Sequence, residues 1–427
     1  MTQTQAPAVV SPVHGGLAAP VNRIVDSKTV DLAKWSRLPA IEVGEVDRTT
    51  LYRIADGTLS PLTGPMGQAD YDQSLNRLSI TRNGKQWAWG IPTILPLTAA
   101  EAASAKPGSE VVLVYEGKPF GKLHVESVFA WDKQAFVEKV YGTPRTDHPG
   151  ARLWLTDPRQ HCIGGTIELL PFTDTRPFAA RVMAPAQTRA LIQSRGWQQS
   201  VAFQTRNPLH RAHEYALVYG AEKILRETGK LTGVVLNPLV GQLKGDDVPA
   251  DVRMQTYEAL IDGRFLGQGD MDEALWKSKG QSLEKQVALI GLDMRMYYGG
   301  PREAVMHAIY RQNLGFTHFI IGRKHADAPF DDKTAIWGDF DAQTIFQKLE
   351  NLAIKTVNVG FAAYFQEIGR VGLVEENQGK TQVSISGTKI REILGKGELP
   401  DDRIMRPSTA KVLAAYYQKV DQQKAGA

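Results

Sequence analysis

Between residues 199 and 323, short apolar stretches alternate with longer segments of helical periodicity. The strand-like stretches are QSVAFQ, LTGVVLNPL, QVALIGL and THFIIGR, and they are separated by helical patterns such as HRAHEYALVYGAEKILRET and REAVMHAIYRQN. Strands that alternate with helices in this way predict a parallel sheet with crossover helices. Because ligands of such sheets bind beyond the carboxyl ends of the strands, we expect the functional side chains to lie there.

The flanking segments differ from this central region. From about residue 30 to 175, apolar runs such as SEVVLVYEG and GKLHVESVFAW are punctuated by turn residues, which indicates a mostly β, barrel-like domain. Residues from about 355 onward predict a smaller α/β lobe. We therefore predict an α/β multidomain protein with a β-rich domain at 1–175, a parallel-sheet domain at 176–354 and a small lobe at 355–427.

Composition excludes several functional classes. No run of 18 or more apolar residues is present, and the first residues lack the pattern of a secretory signal, so we expect a cytoplasmic protein without membrane contact. The single cysteine, Cys162, excludes a disulfide framework and multi-cysteine metal sites. The net charge of +4 is dispersed along the chain, which argues against nucleic-acid binding and is compatible with anionic small substrates.

The most informative motif is QTRNPLHRAHEY, residues 204–215, where a predicted strand turns into a helix. His210 and His213 are three residues apart and share one helix face, so both imidazoles can address one point beyond the sheet edge. With Arg206, in the field of a helix N-terminus, they form an arrangement suited to phosphate. Two alternatives stay open: one histidine caps the helix while the other packs in the core, or both bind zinc together with a further ligand.

Three other segments carry charged residues at turns. IIGRKHADAPF places a basic cluster at the end of another predicted strand, where phosphate binding and plain surface charge are both reasonable interpretations. SISGTKIREIL is a Ser/Gly/Thr turn before a helix that carries Lys389 and Arg391, explained equally by helix capping or by anion binding. In VLNPLVGQLKGDDVPADVR, Asp246 and Asp247 can attract Mg²⁺, although a solvated loop also accounts for them. No G-x-x-x-x-G-K-[ST] motif is present, which argues against an appended P-loop kinase.

Four of these segments, in this order, closely resemble the ATP sulfurylase (sulfate adenylyltransferase) family: QTRNPLHRAHEYA, NPLVGQLKGDDVPADVR, GGPREAVMHAIYRQNLGFTHFIIGR and ISGTKIREIL. HGGL at 14–17 and DAQTIFQKL at 341–349 also fit, so the likeness covers nearly the whole chain. The resemblance implies a PUA-like N-terminal domain, a Rossmann-like nucleotidyltransferase domain and a small C-terminal lobe. It also implies that ATP and sulfate give adenosine 5′-phosphosulfate (APS) and pyrophosphate, by in-line attack of a sulfate oxygen on the α-phosphorus.

The resemblance assigns roles at matching positions. Sulfate would be held by Gln204, Arg206 and the backbone of Ala326, and the catalytic residues would be Thr205, Arg206, Asn207, His210 and His213. ATP would contact that same turn from Gln204 to His213 and, in addition, Gly322, Arg323, Lys324, His325 and Ala362. Mg²⁺ would arrive with ATP or pyrophosphate, without a dedicated protein site. Because related enzymes are often homo-oligomers, we expect a homo-oligomer here as well.

The chain departs from the family pattern at several points. The family commonly reads GRDHAG where this chain has GRKHAD, so Lys324 replaces an acid and Asp327 a glycine; Tyr297 replaces a family arginine. The stretch 262–286 is longer than the usual connection, and the sequence assigns it no role. Two alternatives to an active enzyme of this family follow: a catalytically silent nucleotide-binding regulatory protein, and a nucleotidyltransferase with another oxyanion acceptor. The sequence leaves open the physiological direction of the reaction.

Overall fold

A computed structural model of the chain describes residues 7–243, 247–385 and 387–425. The N-terminal part is built on a five-stranded sheet of order β1-β5-β6-β7-β4, in which only β1 and β5 pair in parallel, and on the hairpin β2-β3. Its strands are β1 Ala40–Glu42, β2 Ser79–Arg82, β3 Lys85–Ala88, β4 Leu95–Leu97, β5 Glu110–Tyr115, β6 Lys118–Ala130 and β7 His161–Leu169. Its helices are α1 Leu32–Trp35, α2 Glu45–Ala55, α3 Gln68–Arg77, α4 Ala99–Ser104, α5 Lys133–Tyr141 and α6 Pro149–Leu155, with 3₁₀ turns at His14–Gly16 and Ser27–Thr29.

Buried and exposed side chains alternate along β6, which shows why this part folds as a sheet. Leu123 and Val125 are completely buried, while His124 between them is exposed, as period-two patterning requires of a strand with one covered face. The β-rich character predicted for this region is therefore confirmed.

The central part is a parallel sheet of order β10-β9-β8-β11-β12. Its strands are β8 Gln199–Phe203, β9 Thr232–Leu236, β10 Val287–Leu289, β11 His318–Ile321 and β12 Lys355–Asn358; its helices are α7 Pro185–Ser194, α8 Arg211–Thr228, α9 Ala250–Asp262, α10 Glu273–Ser278, α11 Leu283–Gln286, α12 Gly300–Asn313 and α13 Asp341–Thr344, with 3₁₀ turns at Ala179–Arg181 and Ile345–Lys348. The strand order reverses between β8 and β11, which lie side by side. Crevices form at such a switch point because the connections leave the two strands in opposite directions.

The first strand after residue 354 belongs to the central sheet. β12 pairs in parallel with β11, from His318 opposite Lys355 to Ile321 opposite Asn358. The small lobe therefore starts later than the predicted boundary at 355, because backbone pairing, which local sequence does not reveal, places this strand at the sheet edge.

The C-terminal lobe has two parts. An antiparallel sheet of order β14-β13-β15 packs on α8, and it consists of β13 Ala362–Phe365, β14 Arg370–Leu373 and β15 Gln382–Val383. Two helices follow, α14 Gly387–Gly395 and α15 Pro407–Ala425, and α15 packs along α9 through an apolar cluster that includes Leu394, Met405 and Leu413. In the part of the chain that the structure describes, no helix is both long and apolar enough to cross a membrane.

The N-terminal and central parts share one hydrophobic core. Buried side chains of the N-terminal sheet pack in the same cluster as those of α12 and one face of the parallel sheet, while α8 and α9 cover the other face. Gly90 marks the closest approach, because a Cβ at this position would lie 2.0 Å from the carbonyl oxygen of Arg302. The Arg302 guanidinium in turn donates to the Gly90 and Leu75 carbonyl oxygens at 3.2 Å and 3.0 Å. This docking fixes the start of α12.

Candidate active site

A cleft of about 380 Å³ lies at the carboxyl ends of β8 and β11. Every residue to which the family resemblance gave a role in binding or catalysis lines this cleft: Gln204, Thr205, Arg206, Asn207, His210, His213, Gly322, Arg323, Lys324, His325, Ala326 and Ala362. The turn after β8 and the loop after β11 meet here because their strands are neighbours in a parallel sheet. The structure thus brings the two motifs together at the switch point, where a ligand is expected.

The turn after β8 is fixed by its own hydrogen bonds. The Thr205 hydroxyl accepts from the Asn207 N–H at 3.1 Å and donates to the Asn207 carbonyl oxygen at 2.9 Å. The buried Tyr257 hydroxyl, on α9, donates to the same carbonyl oxygen at 2.8 Å. Thr205 and Asn207 therefore have a structural function in the turn, and Gln204 and Arg206 project from a backbone that cannot easily move.

His210 and His213 form a stacked pair at the start of α8. Their ring centroids are 3.8 Å apart, with 21° between the planes. Burial lowers the pKa of His210 to about 4, and burial together with the neighbouring His210 lowers the pKa of His213 far below its usual value. Both rings are thus neutral at pH 7, and each offers one N–H donor. His210 occupies the N-cap position, but its side chain does not cap the helix, and the buried His213 Nδ1 has no hydrogen-bond partner.

The loop after β11 has an unusual backbone. Lys324 and Ala326 have positive φ angles, 47° and 59°, which non-glycine residues rarely adopt. The Lys324 N–H donates to the Asp339 carbonyl oxygen at 2.8 Å. The Asp339 carboxylate lies 3.1 Å from Arg323 Nε and 3.8 Å from Lys324 Nζ. Asp339 therefore compensates for the added positive charge of Lys324, which was unexplained in the sequence.

Arg206 faces the cleft with one free edge. Its guanidinium carbon is 4.8 Å from the centre of the Tyr298 ring, and Nη2 donates to the Asp327 carbonyl oxygen at 3.4 Å. Nη1 is buried without a hydrogen-bond partner, and so is Gln204 Oε1. Since buried polar groups are normally paired, a polar ligand is expected to bind at this end of the cleft.

His325 is held from behind by buried groups of α12. Its Nε2 is 3.0 Å from Nδ1 of His307, and His307 Nε2 is 3.3 Å from Glu303 Oε1, outside hydrogen-bond geometry. Burial raises the pKa of Glu303 to about 7, although the N–H groups of Tyr297 and Gly299 donate to its carboxylate and lower the pKa. The contact with His307 holds the ring of His325 in place beside the cleft. Glu303 and His307 are site residues that the sequence reasoning did not identify.

An aromatic side chain near the nucleotide motif was also missed. Arg323 stacks on Phe361, with 3.8 Å between the guanidinium carbon and the ring centre. Phe361 directly precedes Ala362 and is 38% exposed, which is high for a phenylalanine. The signal available in the sequence was its position, directly beside a residue already selected for the nucleotide pocket.

Other residues singled out from the sequence lie outside the main cleft. Lys389, on α14, pairs with Glu392 at 3.1 Å, and Arg391 lines a neighbouring cleft of about 270 Å³. Asp247 lines that second cleft as well, whereas Asp246 lies outside the described residues. His14 is buried, close to the carbonyl oxygen of Ala88 in the N-terminal part. The structure therefore places none of these four described residues in the main cleft.

Behind the histidine pair, four charged side chains form a cluster, which we name the buried charge cluster: Arg211, Glu214, Asp270 and Arg406. Arg211 binds Asp270 with two hydrogen bonds of 2.6 Å and 2.8 Å, and Arg406 binds Glu214 at 2.7 Å. Asp270 also accepts from the N–H of Val371 at 2.8 Å. The Arg211 N–H donates to the Ile404 carbonyl oxygen at 2.8 Å.

The buried charge cluster explains the long connection at 262–286. This stretch supplies Asp270, which is 2% exposed, and the N–H of Gly267, which donates to Glu214 at 3.2 Å. Arg211 and Glu214 directly follow His210 and His213 in the sequence, at the start of the same helix. Since no side chain caps α8, the cluster fixes the start of the helix. The C-terminal lobe, through Arg406, is thereby connected to the active-site turn.

We expect Asp270→Asn to lower kcat by roughly 10- to 100-fold, because a small displacement of positioned catalytic groups has an effect of this size. KM for both substrates should change by less than about threefold, since the cluster contacts neither of them. Initial-rate kinetics and a melting curve measure both effects. Asp272→Asn is the matched control, since Asp272 caps α10 and pairs with Arg226 at the surface of the same stretch. Equal kcat losses in the two variants would contradict the positioning role.

The described residues contain no group of three or more His, Cys, Asp or Glu side chains placed to hold a metal ion. Most of the charged side chains around the cleft are basic, and Asp327 is the acidic residue among those that line it. This composition suits polyphosphate and sulfate oxygens, and it suits a divalent cation that is coordinated by the phosphates themselves.

Comparison with known proteins agrees with this geometry. Residues 180–416 match the family model described as ATP-sulfurylase, and residues 11–172 match the model of a PUA-like domain. The sulfate adenylyltransferase of Pyropia yezoensis is 66% identical over 96% of this chain and 98% of its own length. That of Staphylothermus marinus is 36% identical over 94% of this chain and 97% of its own length.

Among solved structures, the chain is similar to one described as a hexameric APS kinase from Thiobacillus denitrificans. The TM-score is 0.71, the identity 19%, and the similarity covers 95% of this chain and 68% of that one. At this identity the likeness concerns the fold alone. The family-model match, the full-length relatives and the convergence of the motifs in one cleft lead to the same result: the chain belongs to the ATP-sulfurylase family.

Proposed function

We propose that the protein is a sulfate adenylyltransferase, which transfers the adenylyl group of ATP to sulfate and releases pyrophosphate. The main support is the convergence of Arg206, His210, His213 and Arg323 in one cleft between two neighbouring strand ends. In such a reaction a sulfate oxygen forms a bond to the α-phosphorus while the bond to the pyrophosphate oxygen breaks. The protein forms no covalent bond itself, so positioning and charge stabilisation supply the rate.

Sulfate is assigned to the end of the cleft that contains Gln204, Arg206 and Ala326. The unpaired Nη1 of Arg206 supports this assignment, because a buried guanidinium edge is a strong donor to an oxyanion. Tyr298 and the Asp327 carbonyl oxygen limit the orientations that this side chain can adopt. A fixed guanidinium would hold sulfate in line with the α-phosphorus and reduce the entropic part of the barrier.

His210 and His213 are assigned to the α- and β-phosphate groups. As neutral, buried rings they provide N–H donors without adding full charges, and such donors are effective away from bulk water. The negative charge on the equatorial phosphate oxygens and on the leaving oxygen changes during the reaction. Donors directed at those oxygens therefore lower the barrier rather than only improving ATP binding.

The other end of the cleft is assigned to the rest of ATP. Gly322, Arg323 and His325 are proposed to contact the phosphates and ribose, and Ala362 to line the adenine site. The stacking of Arg323 on Phe361 supports this, because it leaves a flat, partly apolar edge next to Ala362. Lys324 is proposed to contact ATP as well. The nearby Asp339 carboxylate partly neutralises the positive charge of its ammonium group.

Mg²⁺ is proposed to enter with ATP and to leave with pyrophosphate, bound by phosphate oxygens. When bound, it would neutralise charge on the pyrophosphate leaving group. The residues that line the cleft fit this arrangement, since they are mainly donors and cations that can approach the phosphate oxygens not used by the metal.

The forward reaction is uphill, because the phosphosulfate anhydride that it forms is higher in energy than the bond broken in ATP. Removal of APS or pyrophosphate draws it forward, and the same site catalyses ATP formation when they accumulate. The physiological direction therefore depends on the reactions that supply or consume APS rather than on this cleft.

Purified protein is expected to form ATP from APS and pyrophosphate, and luciferase detection of ATP measures this directly. Absence of ATP formation together with intact nucleotide binding would favour the silent regulatory protein. ATP formation from APS combined with faster pyrophosphate release with molybdate or selenate than with sulfate would favour another natural acceptor. These three measurements together separate the three functions that the sequence left open.

A cytoplasmic location and a homo-oligomeric state are part of the proposal. The first is supported by the buried free thiol of Cys162, which suits a reducing compartment. The second follows from the resemblance to the ATP sulfurylase family, whose members are often homo-oligomers. Light scattering of the purified protein tests the oligomeric state.

A further inference from the structure

The acceptor end of the cleft contains a carboxyl group with one unpartnered oxygen atom. Asp327 Oδ1 is buried and makes no hydrogen bond, like Arg206 Nη1 and Gln204 Oε1, and all three side chains line the same cleft. Arg206 donates to the backbone carbonyl of Asp327, so the Asp327 carboxyl is adjacent to the guanidinium assigned to sulfate. Two acceptors and one donor therefore surround this subsite.

Sulfate does not match this set of atoms. At neutral pH it is a dianion without a hydrogen, so it only accepts hydrogen bonds. Arg206 satisfies that requirement, and the Gln204 amide does so after rotation, because its nitrogen and oxygen exchange places. An ionised Asp327 carboxylate also only accepts, and its charge repels the dianion. A protonated carboxyl, in contrast, donates its O–H to a sulfate oxygen.

We propose that Asp327 determines the acceptor affinity of this enzyme by taking up one proton when sulfate binds. This inference rests on the function proposed above. The step is balanced: the Asp327 carboxylate gains one proton from solvent, its new O–H donates to a sulfate oxygen, and the proton returns to solvent when sulfate leaves. No bond within sulfate changes.

The surroundings of Asp327 support this step. Burial raises the pKa of the Asp327 carboxyl, while the N–H of Ala328 and the charges of Lys324 and Arg206 lower it, and Asp339 raises it further. These charged groups come from each element around the carboxyl: the turn after β8, its own loop and the segment before α13. A bound dianion adds negative charge nearby, which raises the pKa again and favours protonation.

The sign of the pH effect follows from linkage. The protonated form binds sulfate better, so affinity is fully present below the carboxyl pKa of the free protein and is lost as the pH rises above it. If one proton is taken up per sulfate, KM for sulfate rises up to about tenfold per pH unit in that range. Sulfate release is correspondingly easier at alkaline pH.

The test compares the wild-type protein with Asp327→Asn from about pH 4, close to the ordinary pKa of an aspartate, to about pH 9. In the wild type, KM for sulfate should rise with pH. In Asp327→Asn it should be nearly independent of pH and, at the alkaline end, at least about tenfold lower than in the wild type, while KM for ATP stays similar. Asp331→Asn, an exposed aspartate of the same loop outside the cleft, is the matched control and should behave like the wild type.

A binding measurement keeps this test independent of catalysis. Sulfate is titrated calorimetrically into protein saturated with a non-hydrolysable ATP analogue, in two buffers of different ionisation enthalpy. We expect close to one proton taken up per sulfate in the wild type and none in Asp327→Asn, with Asp327→Gly as the second variant if the asparagine protein does not fold. No proton uptake, or identical pH profiles in wild type and variant, would overturn the inference. An inactive protein with normal proton uptake would overturn the proposed reaction only.

Discussion

Replacing His213 by alanine is expected to lower kcat for APS formation by roughly 10²- to 10³-fold, the usual effect of removing one donor that stabilises transition-state charge. KM for ATP should change by less than about threefold, because the contact strengthens mainly in the transition state. The neutral state of the ring, caused by its burial and by stacking on His210, makes it an N–H donor rather than a cation. Pyrophosphate release measures the rate.

The control for this prediction is His124→Ala. His124 is exposed on β6 in the N-terminal domain, so the same substitution there should leave kcat and KM unchanged. If His213→Ala retains wild-type turnover, the role assigned to the histidine pair is wrong, and the pair would then serve to pack the start of α8.

The second large effect is expected for Arg206→Ala. Two charge-assisted hydrogen bonds to sulfate, together worth about 3 kcal/mol or more, would be lost, so kcat/KM for sulfate should fall by roughly 10²- to 10³-fold. KM for ATP should rise much less, because Arg323 and His325, which we propose to contact the nucleotide, lie on the other loop. Initial rates at varied sulfate and saturating ATP provide the measurement.

Two further variants test why Arg206→Ala lowers kcat/KM for sulfate. Arg206→Lys keeps the charge but not the planar fork, so its kcat/KM for sulfate should lie between those of the wild type and the alanine variant. Arg195→Ala removes an exposed arginine after α7 in the same domain and should have no effect. Wild-type sulfate kinetics in Arg206→Ala would place the acceptor site elsewhere in the protein.

The buried charge cluster gives the C-terminal lobe a function that its cleft residues alone do not suggest. Ile404 and Arg406 contribute no atom to the cleft, yet they bind the first turn of α8. A buried ion pair of this kind adds little net stability, but removing one partner leaves an uncompensated charge. We infer that the cluster is retained for the precise position of the histidine pair.

Local sequence determined the strand, turn and helix around residues 199–228. The apolar run predicts β8, Pro208 and the polar turn end it, and the helical periodicity predicts α8, since each of these signals depends on residues a few positions apart. The meeting of the two motifs also followed from sequence, because parallel strands place their carboxyl ends at one edge. That prediction required no knowledge of side-chain contacts.

Only the tertiary structure decided which charges pair and where the chain returns to the sheet. Asp270 and Arg406 reach α8 across 59 and 192 positions of sequence, and β12 joins the sheet edge although it follows the predicted domain boundary. Nothing local distinguishes Asp270 from an ordinary loop aspartate, because its ionic partners depend on the path of other segments. Periodicity thus fixed the elements and the edge of the sheet where the site lies, while long-range packing fixed the partners that hold the site in place.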